Sequence, residues 1–154
     1  MIQFDRILFP TDFSTCAAAA QKVAFDLARQ GKSKLYVLHV VPRMSFLGDS
    51  EVFHIRVPDI SAAMKAAAQQ QIDALIPQSL RQEIDVETVV LDGTPSLEIV
   101  RFARDRRIDV IVISTHGRSA LQHLLLGGTS DKVIRQTPCP VLIVKHPEKC
   151  YVVP

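Results

Sequence analysis

The sequence predicts an α/β fold, a parallel sheet carrying helices on both faces, and three observations point to it. Short β-branched runs alternate with helix-forming stretches along the 154 residues. The second such run, 34–41, is too uniformly apolar for a strand with one wet face and reads as a central, buried parallel strand. Proline and glycine stand between the runs, where a chain must turn. Alternating strands and helices close through right-handed crossovers, which places ligand loops at the carboxyl ends of the strands.

Residues 6–10, Arg-Ile-Leu-Phe-Pro, form the first strand, ending at a breaker. The alanine-rich stretch 16–29 has strong helix propensity, and Gly31 is expected as its left-handed C-terminal cap. The second strand stops at Pro42, and the mixed segment 43–58 reads as a loop or lid. Helical composition returns over 59–79, and 86–91 is the third strand. Thr94 and Pro95 supply an N-cap and a first-turn proline for a helix through Arg106. Residues 110–114 are the fourth strand and 129–136 the last helix. Pro138 and Pro140 stop that helix before the fifth strand, 141–144, and 146–154 trail from it. There are no internal repeats or low-complexity linkers, so the whole chain, 1–154, is expected to form one domain.

Composition narrows the function classes. A chain of this length that is 47% hydrophobic can bury a full core, about 70% of its unfolded surface, without disulfides. Its apolar runs fall far short of the roughly 18 residues that span a bilayer, so no membrane helix is expected. Asp5 and Arg6 interrupt any secretory apolar segment, which points to the cytoplasm. Cys16, Cys139 and Cys150 are odd in number and widely spaced, arguing against a disulfide framework or a zinc site. Cys16 in a first helical turn reads either as a dipole-activated thiol or, by a wide margin, as a small buried residue. His39 inside an apolar strand reads as a buried, hydrogen-bonded imidazole, lacking partners for a metal, and no protein-ligated metal is expected. A formal charge of +2 is too mild to predict nucleic-acid binding.

Three strand ends carry residues suited to chemistry: Pro10-Thr11-Asp12-Phe13-Ser14, His39-Val40-Val41-Pro42 and Ser114-Thr115-His116-Gly117. In the last segment nine residues, 118–126, separate Gly117 from Gly127, and Gly128-Thr129-Ser130 opens the final helix. Small residues at a helix start expose backbone N–H groups to an anion, with the helix dipole behind them and two hydroxyls beside them. The competing reading is an ordinary loop in which Gly127 and Gly128 make a tight turn and Thr129 is a plain N-cap. Asp12 likewise has two readings, a ligand contact or an Asx-turn and cap residue. His116, Arg118, His123 and Lys132 are within reach of the same loop or solvated. No carboxylate in the loop orients either histidine, so no catalytic residue is assigned.

These pieces together resemble the universal stress protein family. They are Ile7-Leu-Phe-Pro-Thr-Asp-Phe-Ser14, Leu38-His-Val-Val41, Gly93-Thr-Pro95, Thr115-His-Gly-Arg-Ser119, Leu124-Leu-Leu-Gly127 and Pro138-Cys-Pro-Val-Leu-Ile-Val144, in order along nearly the whole chain. The resemblance implies a three-layer sandwich with a five-stranded parallel sheet ordered 3-2-1-4-5, in a cytoplasmic homodimer. One branch of the family binds ATP or AMP through a G-x-x-G-(nine residues)-G-[S/T] motif. Here Gly117 and Gly127 match it, while Ser114 stands for the first glycine and Gly128 for the final Ser or Thr. By resemblance Asp12 faces the nucleoside, Pro10, Thr11 and Val40 border the base, and 127–130 hold phosphates, with any Mg²⁺ bound through those phosphates.

The leading expectation is therefore a stress-response module in which ATP or AMP occupancy biases conformation or partner choice. The alternative is a dimeric interaction protein of the same fold with a degenerate site, favoured by Ser114. An ATP-consuming enzyme is the third, with slow hydrolysis at most, because only Asp12 and Asp131 stand near as candidates and neither lies in a recognisable catalytic motif. Strand 141–144 is apolar and expected at an edge, so pairing across a two-fold axis is the natural homodimer contact.

Overall fold

A computed structural model describes residues 2–43, 57–114 and 128–145. In chain order the elements are β1 (Arg6–Pro10), α1 (Thr15–Gly31), β2 (Lys34–Pro42), α2 (Val57–Ala74), α3 (Gln78–Glu83), β3 (Val86–Gly93), α4 (Pro95–Asp105), β4 (Val110–Ser114), α5 (Thr129–Gln136) and β5 (Val141–Val144). The five strands form one parallel sheet in the order β3-β2-β1-β4-β5, as the sequence and its resemblance imply. β2 lies inside the sheet, but β1 holds its centre.

Side chains alternate across the pleat and so divide the apolar residues between two cores. Ile7, Phe9, Leu35, Val37 and Val112 pack with α1 and with Ile72 and Leu80 of α2 and α3. Leu8, Leu38, Val40, Ile111 and Ile113 pack with Ile99 and Phe102 of α4 and Val133 of α5. Helices thus cover both faces, and each fully buried Leu or Ile contributes about 1.5–3 kcal/mol relative to exposure. Ala20, Ala24 and Ala28 of α1 are all fully buried, so that helix meets the sheet through a face of small side chains.

Several boundaries differ from the sequence expectation. α1 ends in a Schellman arrangement, with Ser33 N–H on the Ala28 carbonyl at 2.9 Å and Lys32 N–H on that of Arg29 at 3.4 Å. The left-handed position is Lys32, at φ 50°, not Gly31. Gly31 is needed for room: a Cβ there would lie 2.7 Å from the Ser33 hydroxyl, which itself donates to the Phe4 carbonyl. The expected helix over 59–79 is two helices parted before Pro77, whose ring cannot supply an N–H to continue the first. Thr94 takes the N-cap position of α4 without a side-chain cap bond, and the helix ends one residue short of Arg106. β4, α5 and β5 have the predicted bounds. Most of the 43–58 segment, the 115–127 loop, the 146–154 end and Cys150 lie outside the described residues.

Candidate functional site

β1 and β4 are neighbours, yet the chain leaves β1 toward β2 on one side and β4 toward β5 on the other. That reversal is the topological switch point, where open α/β sheets leave a crevice at the carboxyl ends of the strands. The β1–β4 ladder pairs Ile7 with Val110 and Leu8 with Ile111, and both strands run on past it toward the crevice.

On the β1 side, Pro10 and Thr11 are buried at the strand end, and Thr11 N–H extends the ladder to the Leu38 carbonyl at 2.8 Å. Three local hydrogen bonds then turn the chain into α1. The Thr11 hydroxyl accepts from Phe13 N–H at 3.1 Å, the Asp12 carboxylate accepts from Ser14 N–H at 3.0 Å, and the Ser14 hydroxyl caps α1 by accepting from Ala17 N–H at 3.1 Å. Asp12 therefore does make the Asx-turn contact. Phe13 is forced to φ 62°, a left-handed conformation rare for a bulky residue. Sequence reasoning did not single it out, and no local pattern marks a phenylalanine for that role.

His39 reaches this turn from β2. Its Nδ1 lies 2.8 Å from the Thr11 carbonyl, and its ring stacks on Phe13 with centroids 4.4 Å apart and planes 33° apart. A carbonyl only accepts, so Nδ1 carries the proton. The imidazole is hydrogen-bonded as expected but half-buried instead of buried, because it sits near the open end of the sheet. Val40, next along β2, is buried in the α4–α5 core.

On the β4 side, Ser114 is buried and its carbonyl accepts from the Ser130 hydroxyl at 2.8 Å, which ties the start of α5 to the strand end. Gly128, not Thr129, is the N-cap of α5, and it brings no side-chain cap bond. The first intrahelical bond runs from Lys132 N–H to the Gly128 carbonyl, so the amides of Thr129, Ser130 and Asp131 precede it. Gly128 and Thr129 are exposed, and a Cβ added at Gly128 would meet nothing within 4 Å. Asp131 would oppose an anion here, but Arg135 grips both its oxygens at 3.1 and 3.0 Å. His116, Gly117, Arg118, Gly127 and His123 lie outside the described residues.

Farther along the same edge, at the end of β3, Lys65 and then Arg43 hold the Asp92 carboxyl below the usual carboxylate range. Away from it, burial pushes the Cys139 thiol up, against a smaller downward pull from the Thr137 hydroxyl, while Cys16 is buried in the first turn of α1. No helix among the described residues is long and apolar enough to cross a membrane.

Fold and edge together define a doubly wound α/β protein whose topological switch point is flanked by the polar turn after β1 and by β4, to whose end the start of α5 is tied. Residues 3–145 match the sequence profile of the universal stress protein family. The chain belongs to that family. It is 32% identical over 146 residues to universal stress protein MJ0531 of Methanocaldococcus jannaschii, covering 95% of this chain and 85% of the relative. The solved structure of MJ0577 from the same organism superposes with a TM-score of 0.80 at 27% identity, over 94% of this chain and 98% of that one. A universal stress protein from Archaeoglobus fulgidus in complex with dAMP shares the fold, with a TM-score of 0.63 at 22% identity over 94% of this chain and all of that one.

Proposed function

We propose that this protein is a regulatory module that binds an adenine nucleotide, ATP or AMP, in the switch-point crevice, with Mg²⁺ carried by the phosphates. The observation that carries this reading is the fastening of the uncapped α5 N-terminus to the β4 end through Ser130 and Ser114, on the strand that pairs with β1, which leads into the Thr11–Asp12 turn. Donors at a helix start favour phosphate, and fixing them beforehand spares the ligand the cost of ordering them. Ser114 is only 8% exposed, so the residue in place of the motif's first glycine adds little to the crevice surface. The open space at Gly128 accommodates the loss of the motif's hydroxyl without closing the amides. The dAMP complex of the Archaeoglobus relative supports adenylate as the ligand class.

The residues assigned to this role are Pro10, Thr11, Asp12, Val40, Ser114, Gly128, Thr129 and Ser130, with His116, Gly117, Arg118 and Gly127 from the motif. The protein acts as a cytoplasmic binding module and not as an enzyme, dimerising through β5. Calorimetric titration with Mg-ATP, ADP and AMP tests the reading, and saturable binding in the micromolar range, about −8 kcal/mol or somewhat weaker, is expected. Gly128→Asp adds a capping side chain but sets a negative charge on the phosphate position, and should weaken binding about tenfold or more while the helix stays intact. Absence of heat and of thermal shift with all three nucleotides would leave the second reading, a dimeric interaction protein, which the exposed Leu142 and Ile143 of β5 favour.

A further inference from the structure

We infer that His39 is a positioning residue for this site: from β2 it holds the β1–α1 turn in the conformation that presents Thr11 and Asp12 to the nucleotide. This rests on the adenylate reading for its consequence, though the hold on the turn stands on the geometry alone. The turn has a reason to relax, because Phe13 occupies a left-handed conformation that a bulky side chain reaches only under constraint. Its internal bonds, Thr11 to Phe13 and Asp12 to Ser14, span two residues each and do not fix the turn relative to the sheet.

His39 supplies that anchor through its donor, with its ring as a lesser brace. Its Nδ1–H donates to the Thr11 carbonyl at 2.8 Å, and its ring braces the Phe13 ring at 4.4 Å. Thr11 is thereby held at both backbone groups by consecutive residues of β2, its N–H by the Leu38 carbonyl and its C=O by the His39 imidazole. Asp12 follows immediately, with one carboxylate oxygen committed to Ser14 N–H, so its direction is set by where Thr11 ends. Preorganising a loop in its binding conformation raises affinity by removing an ordering cost.

Two variants separate the donor from the ring. His39→Asn keeps a side-chain N–H near the Nδ1 position and loses the ring, whereas His39→Phe keeps a ring against Phe13 and loses the donor. In the nucleotide-free protein, exchange of the Phe13 and Ser14 amides should quicken about tenfold in His39→Phe and stay within about threefold of wild type in His39→Asn. AMP affinity, by calorimetry, should follow the same order, falling about tenfold in the first variant and recovering in the second. Unchanged exchange in His39→Phe, or equal disturbance by both variants, overturns the positioning role. A wild-type protein that binds no AMP removes the nucleotide reading instead, and amide exchange still decides whether His39 holds the turn.

Discussion

At the scale of single residues, backbone conformation decides more than side-chain type. Lys32 stands at φ 50° in the position where a Schellman cap favours glycine, and the neighbouring glycine is used for clearance. Lys32→Gly should therefore stabilise the protein by about 0.5–1 kcal/mol, the relief of the left-handed strain less the added freedom of the unfolded chain. For a chain of this size that is a rise of about 2–4 °C per kcal/mol in thermal unfolding, and a lower melting temperature would count against the assignment. Sequence placed a glycine cap one residue early because composition says that a helix ends near Gly31, but not which residue turns left-handed. His39 and Phe13 illustrate the same limit. Their meeting with Thr11 joins residues 28 apart through a backbone carbonyl, which leaves no trace in residue identity. Asp12 was legible as two alternatives; its contact with Ser14 establishes one of them without excluding the other, since a turn-forming carboxylate can also face a ligand. Asp12→Ala discriminates: lowered stability together with weakened nucleotide affinity is expected, and a loss of stability alone would remove Asp12 from the binding residues.

At the scale of elements, the boundaries that sequence placed correctly are those fixed by punctuation. Pro138 and Pro140 isolate β5 so firmly that α5 and β5 could be bounded without knowing their partners. The stretch after 59 misled because its alanine-rich composition continues past Ala74, while Pro77 and the burial of Ile76 and Leu80 divide it into two helices. The joint between α2 and β3 is polar. Thr88 donates to the Asp73 carboxylate at 2.6 Å, and Gln69 and Arg81 add bonds at 3.1 and 3.4 Å. Chiefly through the Thr88 bond, these partners hold the Asp73 carboxyl below the usual carboxylate value. A depressed folded-state pKa means that the unfolded chain takes up the proton first. The joint's contribution is thus present above the unfolded pKa and lost as pH falls through the folded one. Asp73 is about half exposed, which keeps the effect small. Urea unfolding followed from neutral to acid pH should show a shallower loss of stability in Asp73→Asn than in wild type, and identical slopes would refute the assignment. At the start of α5 the opposite change applies. Gly128→Ser adds a capping hydroxyl into open space at an ordinary φ of −64° and should raise stability by a few tenths of a kcal/mol, about what separates Gly from Ser at an N-cap. Because it also restores the motif's hydroxyl, nucleotide affinity should hold or rise; a loss would mean that phosphate does not approach this amide.

At the scale of the whole molecule, the sheet has two edges and they are built differently. β3 carries Glu87, which pairs with Lys34 at 3.1 Å and Arg106 at 3.2 Å, and Asp92, which pairs with Lys65 and Arg43. Charge on an edge strand is a common defence against unplanned pairing. β5 has no such defence. Val141–Val144 contains no charge, pairs among the described residues only with β4, and leaves Leu142 and Ile143 41% and 42% exposed, on opposite faces of the sheet because their side chains alternate. An apolar edge left open by the described residues calls for a partner, and a second β5 related by a two-fold axis would satisfy both its backbone groups and its side chains with one symmetric contact. A stable contact needs about 1,000 Å² or more of total buried surface, so flanking residues must join the four of the strand. Sedimentation at micromolar concentration should give the mass of two chains for the wild-type protein. Ile143→Lys, placing on β5 the kind of charge that protects β3, should give the mass of one chain with helical and strand content unchanged. A one-chain wild-type mass would remove the dimer altogether, and a two-chain mass that survives Ile143→Lys and Leu142→Glu together would move its contact away from this edge.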